Sequence, residues 1–189
     1  CELIYKNLCN KALHGQTKDA LAKSQKGNWQ YDIVEAGYKY NMTDIQAAIG
    51  LVELDRYDAE TLVRRKQIFD TYSKMFSAYG WANTPVYQTS QRTSSYHVYL
   101  LRILNITEAQ RNEIIQLIFE ADVSVNVHFV PLPMFTYYKQ LGYDVIHYPQ
   151  AYENYSQTIS LPVYFDLTDE QAETVVKAVV NAVNQVFQK

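Results

Sequence analysis

An α+β fold is what this sequence predicts: a small, largely antiparallel sheet packed with helices and preceded by a long linking helix. Three observations predict it. A helical apolar period runs without a proline from Thr43 to about Ala78. Beyond it the patterns follow the order strand, helix, strand, helix, helix, strand, helix, which suits a layer of helices against a small sheet. A Thr with a Gln three residues later, the signature of a capping box, precedes helical periods at Thr43–Gln46, Thr107–Gln110 and Thr168–Gln171.

The elements follow in order. Residues 2–13 predict a helix with Leu3, Ile4, Leu8 and Ala12 near one face, stopped by His14-Gly15. Residues 16–36 are polar and mixed and predict a loop, with one helical turn near Asp19–Lys23. That is long for a loop inside a compact domain, so an arm crossing onto a partner or another part of the protein is expected. The helix from Thr43 carries a stripe of Ile45, Ile49, Val52, Arg56 and Ala59, widened by Leu51, Leu54 and Leu62, and Gly80 ends it. At some 35 residues it would be roughly 50 Å long, a length suited to joining two domains.

Tyr96–Leu104 is rich in aromatic and branched residues and predicts a strand. A helix from Thr107 to about Ala121 shows Ile114, Ile115, Leu117 and Ile118 as its apolar face. Val123–Val130 predicts a second strand, broken by Pro131-Leu132-Pro133. A short helix around Phe135–Leu141 ends at Gly142, another spans Pro149 to Thr158, and Ile159–Val163 predicts a third strand. The last helix runs from Thr168 to about Phe187 with Val175, Val176, Val179, Val183 and Val186 inward.

Composition bounds the function. An apolar content of 48% and a charged content of 20% belong to a soluble globular chain. A net charge of −3 argues against nucleic acid or an anionic membrane as partner. No apolar run nears the roughly 20 residues of a membrane helix, and no secretory signal is visible. The first residue is Cys1, not Met, so a piece of a longer protein is expected. Cys1 and Cys9 lie too far apart along a helix for an easy disulfide, and no further cysteine offers a zinc site, so a reducing, cytoplasmic setting fits. The 17 tyrosines suit interfaces and ligand clefts, or ordinary half-buried positions.

The chemistry concentrates at Gly37–Gly50. Lys39 and Asn41 sit two apart in an extended segment and so share a side. They precede a helix start whose free N–H groups favour anions, which suits a phosphate. On physical grounds alone, such a pair is more often simply solvated. His97 follows Ser94, Ser95 and Tyr96 at the mouth of a strand, and His128 stands before Pro131. Each is either a locally bonded strand histidine or a residue facing a cleft. His14 and His147 have less to recommend them, and the four histidines are too scattered for a metal site. Arg64-Arg65 could meet phosphates or a partner's acids, or be salt-bridged as mid-helix arginines usually are. Tyr137-Tyr138 could line a ligand pocket or pack a subunit interface.

The segment Gly37-Tyr38-Lys39-Tyr40-Asn41-Met42-Thr43-Asp44-Ile45-Gln46-Ala47-Ala48-Ile49-Gly50 closely resembles the signature of the DegT/DnrJ/EryC1/StrS sugar aminotransferases. These are pyridoxal-phosphate enzymes of fold type I. The resemblance continues through Arg64-Arg65, Ser94–Tyr99, Val127–Leu132, Tyr137-Tyr138, Leu141–Tyr143, Ser160–Tyr164 and Leu167–Gln171. It covers nearly everything from about Trp29 onward. Two positions depart from it. Many members read Gly-Tyr-Asn-Tyr-Arg where this chain has Lys39 and Asn41, and many carry His in place of Pro133. The first change swaps the order of cation and amide; the second removes a polar group near substrate and leaves the substrate open.

The resemblance implies the C-terminal portion of such an enzyme. Residues 1–42 would be an arm and loop at the end of the large domain, 43–80 the inter-domain helix, and 81–189 the small domain. The Schiff-base lysine would lie upstream of Cys1, leaving no catalytic residue in this chain and an inactive fragment without its pyridoxal 5′-phosphate. Lys39 and Asn41 would reach the cofactor phosphate of the neighbouring subunit of a homodimer. His97, His128 and Tyr96 would lie near substrate. The parent would move an amino group from an amino acid, glutamate by expectation, to a keto-sugar nucleotide. The rival readings are a sugar dehydratase relative, with a His replacing the lysine, and a free-standing non-catalytic interaction domain.

Overall fold

Helix α1 (Glu2–Ala12) opens the chain, and none of its side chains is buried. In the computed structural model residues 1–16 and 32–188 are described, so the helical turn expected near Asp19–Lys23 lies outside the described residues. The chain forms two compact units, Cys1–Asp55 and Arg56–Lys189, which divide inside the predicted linking helix.

In the first unit α1 ends at Leu13, and His14 and Gly15 take positive φ of 59° and 72°. The chain from Ile33 to Tyr40 lies antiparallel beside this turn, bridging Gln16 to Ile33 and Leu13 to Lys39. Helix α2 (Asp44–Arg56) follows, and its apolar residues Ile45, Ile49, Val52 and Leu54 are all exposed in this chain.

The second unit opens with a π-helical turn (Tyr57–Thr61), where the Leu62 N–H donates to the Tyr57 carbonyl, five residues back. Helix α3 (Leu62–Phe76) continues from it. The single predicted helix is therefore three segments. Helix α3 buries Ile68, Phe69, Tyr72 and Phe76, the spacing of one helical face.

Those residues meet a three-stranded antiparallel sheet in the order β1 (Ala82–Asn83), β2 (Tyr99–Ile103), β3 (Thr158–Leu161). The register pairs Ala82 with Ile103 and Tyr99 with Leu161. Alternation along β2 turns Tyr99, Leu101 and Ile103 inward and leaves Leu100 and Arg102 on the opposite face. Ile114 and Ile118 of α4 (Glu108–Glu120) and the valines of α7 (Asp169–Phe187) complete the core. The expected α+β class holds, and both later capping boxes form as read.

The sheet differs from expectation in one strand. Val123–Val130 is not a strand; it touches β3 through a single bridge, Asn126 to Ser160, with hydrogen bonds of 3.1 and 2.7 Å. The Val residues still alternate inward, Val123 being buried. However, the Asn126 carboxamide accepts the Val127 N–H at 2.7 Å, a local bond that competes with a ladder, and Pro131 has no N–H to extend one. The third strand is instead β1, two residues long. A short 3₁₀ turn (Leu132–Met134), α5 (Thr136–Gln140), a second 3₁₀ turn (Val145–His147) and α6 (Pro149–Gln157) lead into β3.

Candidate functional site

The turn into β2 places the first candidate. Tyr96 takes a positive φ of 53°, uncommon for an aromatic residue. Its side chain is 2% exposed and packs edge-on against Phe69 and Tyr87, with centroids 5.3 and 5.8 Å apart. Arg65 Nη1 lies 3.3 Å from both the Tyr96 and His97 carbonyls. Anchored this way, the backbone turns His97 outward. Tyr96 itself thus sits in the core, where its ring holds the turn rather than facing the cavity.

Beneath the turn, Asp70 accepts from Lys66 Nζ at 2.6 Å and from the Tyr87 hydroxyl at 2.7 Å. Partial burial pushes the Asp70 carboxyl up, but the two donors outweigh it and hold the pKa below the ordinary carboxylate value. Burial and the bond to Asp70 raise the Tyr87 pKa.

His97 and His128 line one cavity of about 390 Å³, together with Ser124, Asn126, Ser160 and Pro162. His128 Nδ1 lies 2.8 Å from Ser160 Oγ, a contact that fixes the ring. Ser160 belongs to β3, all of whose residues are buried, so the serine is held on the sheet face opposite Ile159 and Leu161. The His128–Phe129 peptide bond is cis. His128 also lines a second cavity of about 490 Å³ with Asn83, Arg102, Phe129, Asn154 and Thr158. Ser160, Asn126 and Arg102 were not singled out from sequence. The period-2 alternation of β3 is the signal that could have placed Ser160 beside His128.

Lys39 and Asn41 belong to the first unit. Both are exposed, and among the described residues neither side chain has a hydrogen-bond or ion-pair partner. The rings of Tyr38 and Tyr40 stack at 4.9 Å, as alternation on the opposite side requires. Thr43 and Gln46 form the expected reciprocal bonds, at 3.0 and 3.3 Å, that start α2. The segment is seated by glycine against glycine. A Cβ on Gly37 would overlap the Gly15 nitrogen, and one on Gly15 would overlap the Glu35 carbonyl. Tyr38 and Tyr40 N–H groups then donate to Lys11 and Ala12 carbonyls at 2.6 and 2.8 Å.

The arginine pair is structural. Arg64 binds Asp169 at 2.7 Å and donates to the Leu167 carbonyl, holding the start of α7, while Arg65 serves the His97 turn. Tyr138 lines an apolar cavity with Tyr143 and Tyr148, and Tyr137 is exposed. Among the described residues no group of three or more His, Cys, Asp or Glu could hold a metal.

The model of the DegT/DnrJ/EryC1/StrS aminotransferase family matches residues 6–180. A Streptococcus pneumoniae protein, Spr1654, described as a sugar aminotransferase and solved in its PMP form, superposes with a TM-score of 0.87 at 43% identity, covering 98% of this chain and 46% of that one. The Bacillus subtilis spore coat polysaccharide biosynthesis protein SpsC is 34% identical over 89% of this chain and 44% of its own length. A Campylobacter jejuni UDP-4-amino-4,6-dideoxy-N-acetyl-beta-L-altrosamine transaminase is 28% identical over 80% of this chain and 39% of its own length. The chain spans about half the length, or less, of these relatives. With a match from residue 6 to residue 180 and the same fold, this chain belongs to the DegT/DnrJ/EryC1/StrS aminotransferase family.

Proposed function

We propose that this chain is the C-terminal part of a pyridoxal-phosphate-dependent aminotransferase acting on a nucleotide sugar in the cytoplasm. The amino group would pass from an amino acid, glutamate, to a keto-sugar nucleotide used for polysaccharide or a related glycan. The observation that carries the reading is the pairing of His97 and His128 in one cavity of a chain belonging to this family. In the same reading residues 1–42 end the large domain, 43–80 link, and 81–189 form the small domain, whose core also takes in Ile68, Phe69, Tyr72 and Phe76 from the linking segment.

The donor set of the first unit fits the cofactor phosphate. Lys39 offers a cation and Asn41 an amide, both exposed, beside a helix start that favours anions. They would bind the phosphate of cofactor held by the neighbouring subunit of a homodimer. Bound pyridoxal phosphate supplies the electron sink that transamination requires. The lysine that carries it lies, in this reading, in sequence preceding Cys1, so the chain alone is inactive and retains no cofactor. Ser160 holds His128 through Nδ1 and leaves Nε2 to bond a sugar hydroxyl. His97, which lines the same cavity, bonds the same ligand, and Tyr96 and Arg65 hold its backbone in place.

The test uses the full-length protein with glutamate and a UDP-4-keto-sugar, and measures 2-oxoglutarate and aminated sugar. Both are expected in equal amounts. Loss of water from the sugar without 2-oxoglutarate would instead mark a dehydratase. Replacing Lys39 and Asn41 by Ala is expected to weaken cofactor retention roughly 10- to 100-fold, the size of a lost hydrogen bond to a charged group. Unchanged retention in a folded variant would remove these residues from the cofactor site.

A further inference from the structure

We infer that Asp70 is a positioning residue for the sugar substrate: through Tyr87 it fixes the loop that carries His97. The inference rests on the aminotransferase reading above, in which His97 bonds the sugar. The two histidines of the cavity are held differently. His128 is fixed through its own ring by Ser160. His97 is exposed, and among the described residues no side chain bonds its ring. Its place in the cavity is therefore set by its backbone. That backbone follows Tyr96, whose positive φ of 53° persists only where the surroundings hold it.

Helix α3 supplies the hold at two points. Arg65 Nη1 reaches the Tyr96 and His97 carbonyls at 3.3 Å each. Further along the helix, Asp70 accepts from the Tyr87 hydroxyl at 2.7 Å. Tyr87 passes this anchor on through its backbone and its ring. Its carbonyl accepts the Ser94 N–H at 2.8 Å, and Ser94 Oγ accepts the Tyr96 N–H at 3.0 Å. Its ring packs edge-on against Tyr96 at 5.8 Å and against Phe69 of α3 at 5.5 Å. The chain between closes on itself: Gln88 is bridged to Thr93, and the Thr89 N–H donates to the Arg92 carbonyl at 2.9 Å. Residues 87–96 are thus a closed loop, tied to α3 at one end by Asp70 and at the other by Arg65.

Asp70 suits the task. Lys66, one turn earlier on α3, holds Oδ2 at 2.6 Å and leaves Oδ1 for Tyr87. A carboxylate fixed by one donor is a well-aimed, charge-assisted acceptor for the other. Asp70 does not line the cavity that holds the two histidines, so it reaches a ligand there only through the loop. A small displacement of a group that orients substrate is enough to weaken the productive complex, even when its cause lies away from the ligand.

The test uses the full-length holoenzyme and measures KM separately for glutamate and for a UDP-4-keto-sugar, with amide hydrogen exchange over residues 87–99 as a second readout. Asp70→Ala and Tyr87→Phe remove the same bond. Each is expected to raise the sugar KM roughly 3- to 10-fold, part of the tenfold or more that a hydrogen bond to a charged group is worth. The glutamate KM is expected to stay within about twofold, and exchange at Ser94 and Tyr96 to quicken roughly tenfold. The two changes together should do no more than either alone, and Asp70→Ala should add nothing in a His97→Ala background. Asp70→Asn keeps an acceptor for Tyr87 and is expected to remain within about twofold of the parent. Thr168→Ala, which weakens the fold at a distance, should leave both KM values unchanged. An unchanged sugar KM in folded Asp70→Ala, equal rises in both KM values, or a full further loss in the His97→Ala background would overturn the assignment. In each of those cases glutamate-dependent amination by the parent would leave the aminotransferase reading standing. A parent that aminates no keto-sugar would sink both.

Discussion

Arg111 shows how far a single residue can organise this unit. It is 1% exposed, yet its guanidinium is fully used. Nη1 donates to the Tyr155 and Thr158 carbonyls at 2.9 and 3.2 Å, Nε donates to Asn112, and the Tyr155 ring covers it at 4.6 Å. Glu108, 3.8 Å away, also accepts from the hydroxyls of Tyr152 and Tyr155. The network ties α4 to the end of α6 and the start of β3, the strand that presents Ser160. Arg111→Met would keep most of the volume but strip the buried Thr158 carbonyl and the part-buried Tyr155 carbonyl of their donor. A loss of about 3 kcal/mol is expected, read from denaturant unfolding, since a buried group left without a partner costs about 1–3 kcal/mol. A loss below about 1 kcal/mol would mean that water replaces the guanidinium.

At the scale of elements, local chemistry starts helices well and ends strands poorly. Thr168 and Gln171 exchange bonds at 2.9 and 3.2 Å, and Arg64 fastens the same helix start from α3. Thr168→Ala is expected to cost about 1 kcal/mol, the usual value of an N-cap, and to lower the melting temperature by a few degrees. An unchanged melting curve would show that Arg64 alone holds α7 in place. The segment Val123–Val130 is the opposite case. Its alternation is correct for a strand, but β3 is only four residues long and one bridge is all that forms. Pairing depends on a neighbour, which the pattern within one segment does not contain.

At the scale of the whole unit, tyrosine serves the core as well as the surface. Tyr72 and Tyr99 are fully buried, with hydroxyls bonded to the Pro162 carbonyl and to Ser73 at 2.9 Å each. Burial drives both pKa values well above the ordinary tyrosine value. Because the folded pKa is raised, their contribution is complete below the unfolded pKa of about 10 and is lost as pH rises beyond it. Alkaline titration followed by tyrosinate absorbance and circular dichroism should show exposed tyrosines ionising first. These two should follow only on unfolding, and the unit should lose stability above about pH 10. Ionisation of every tyrosine while the dichroism stays native would contradict this burial.

Elements whose cause lies within about one turn of chain were legible from sequence. The capped starts of α2, α4 and α7, the stop at His14-Gly15 and the inward valines of α7 are of this kind, because a cap or a helical face is made by neighbours three or four residues apart. Lys39 and Asn41 could be placed on one side of an extended segment for the same reason. What only the tertiary structure decided depends on distant residues. It made Ala82–Asn83 a strand, reduced Val123–Val130 to a bridge and buried Tyr96. It also bonded Arg64 and Arg65 within the chain, and set His128 against Ser160 in a cavity shared with His97. The reason is physical: a hydrogen-bond ladder, a buried guanidinium and a shared cavity each need two surfaces, and the sequence around one of them does not contain the other.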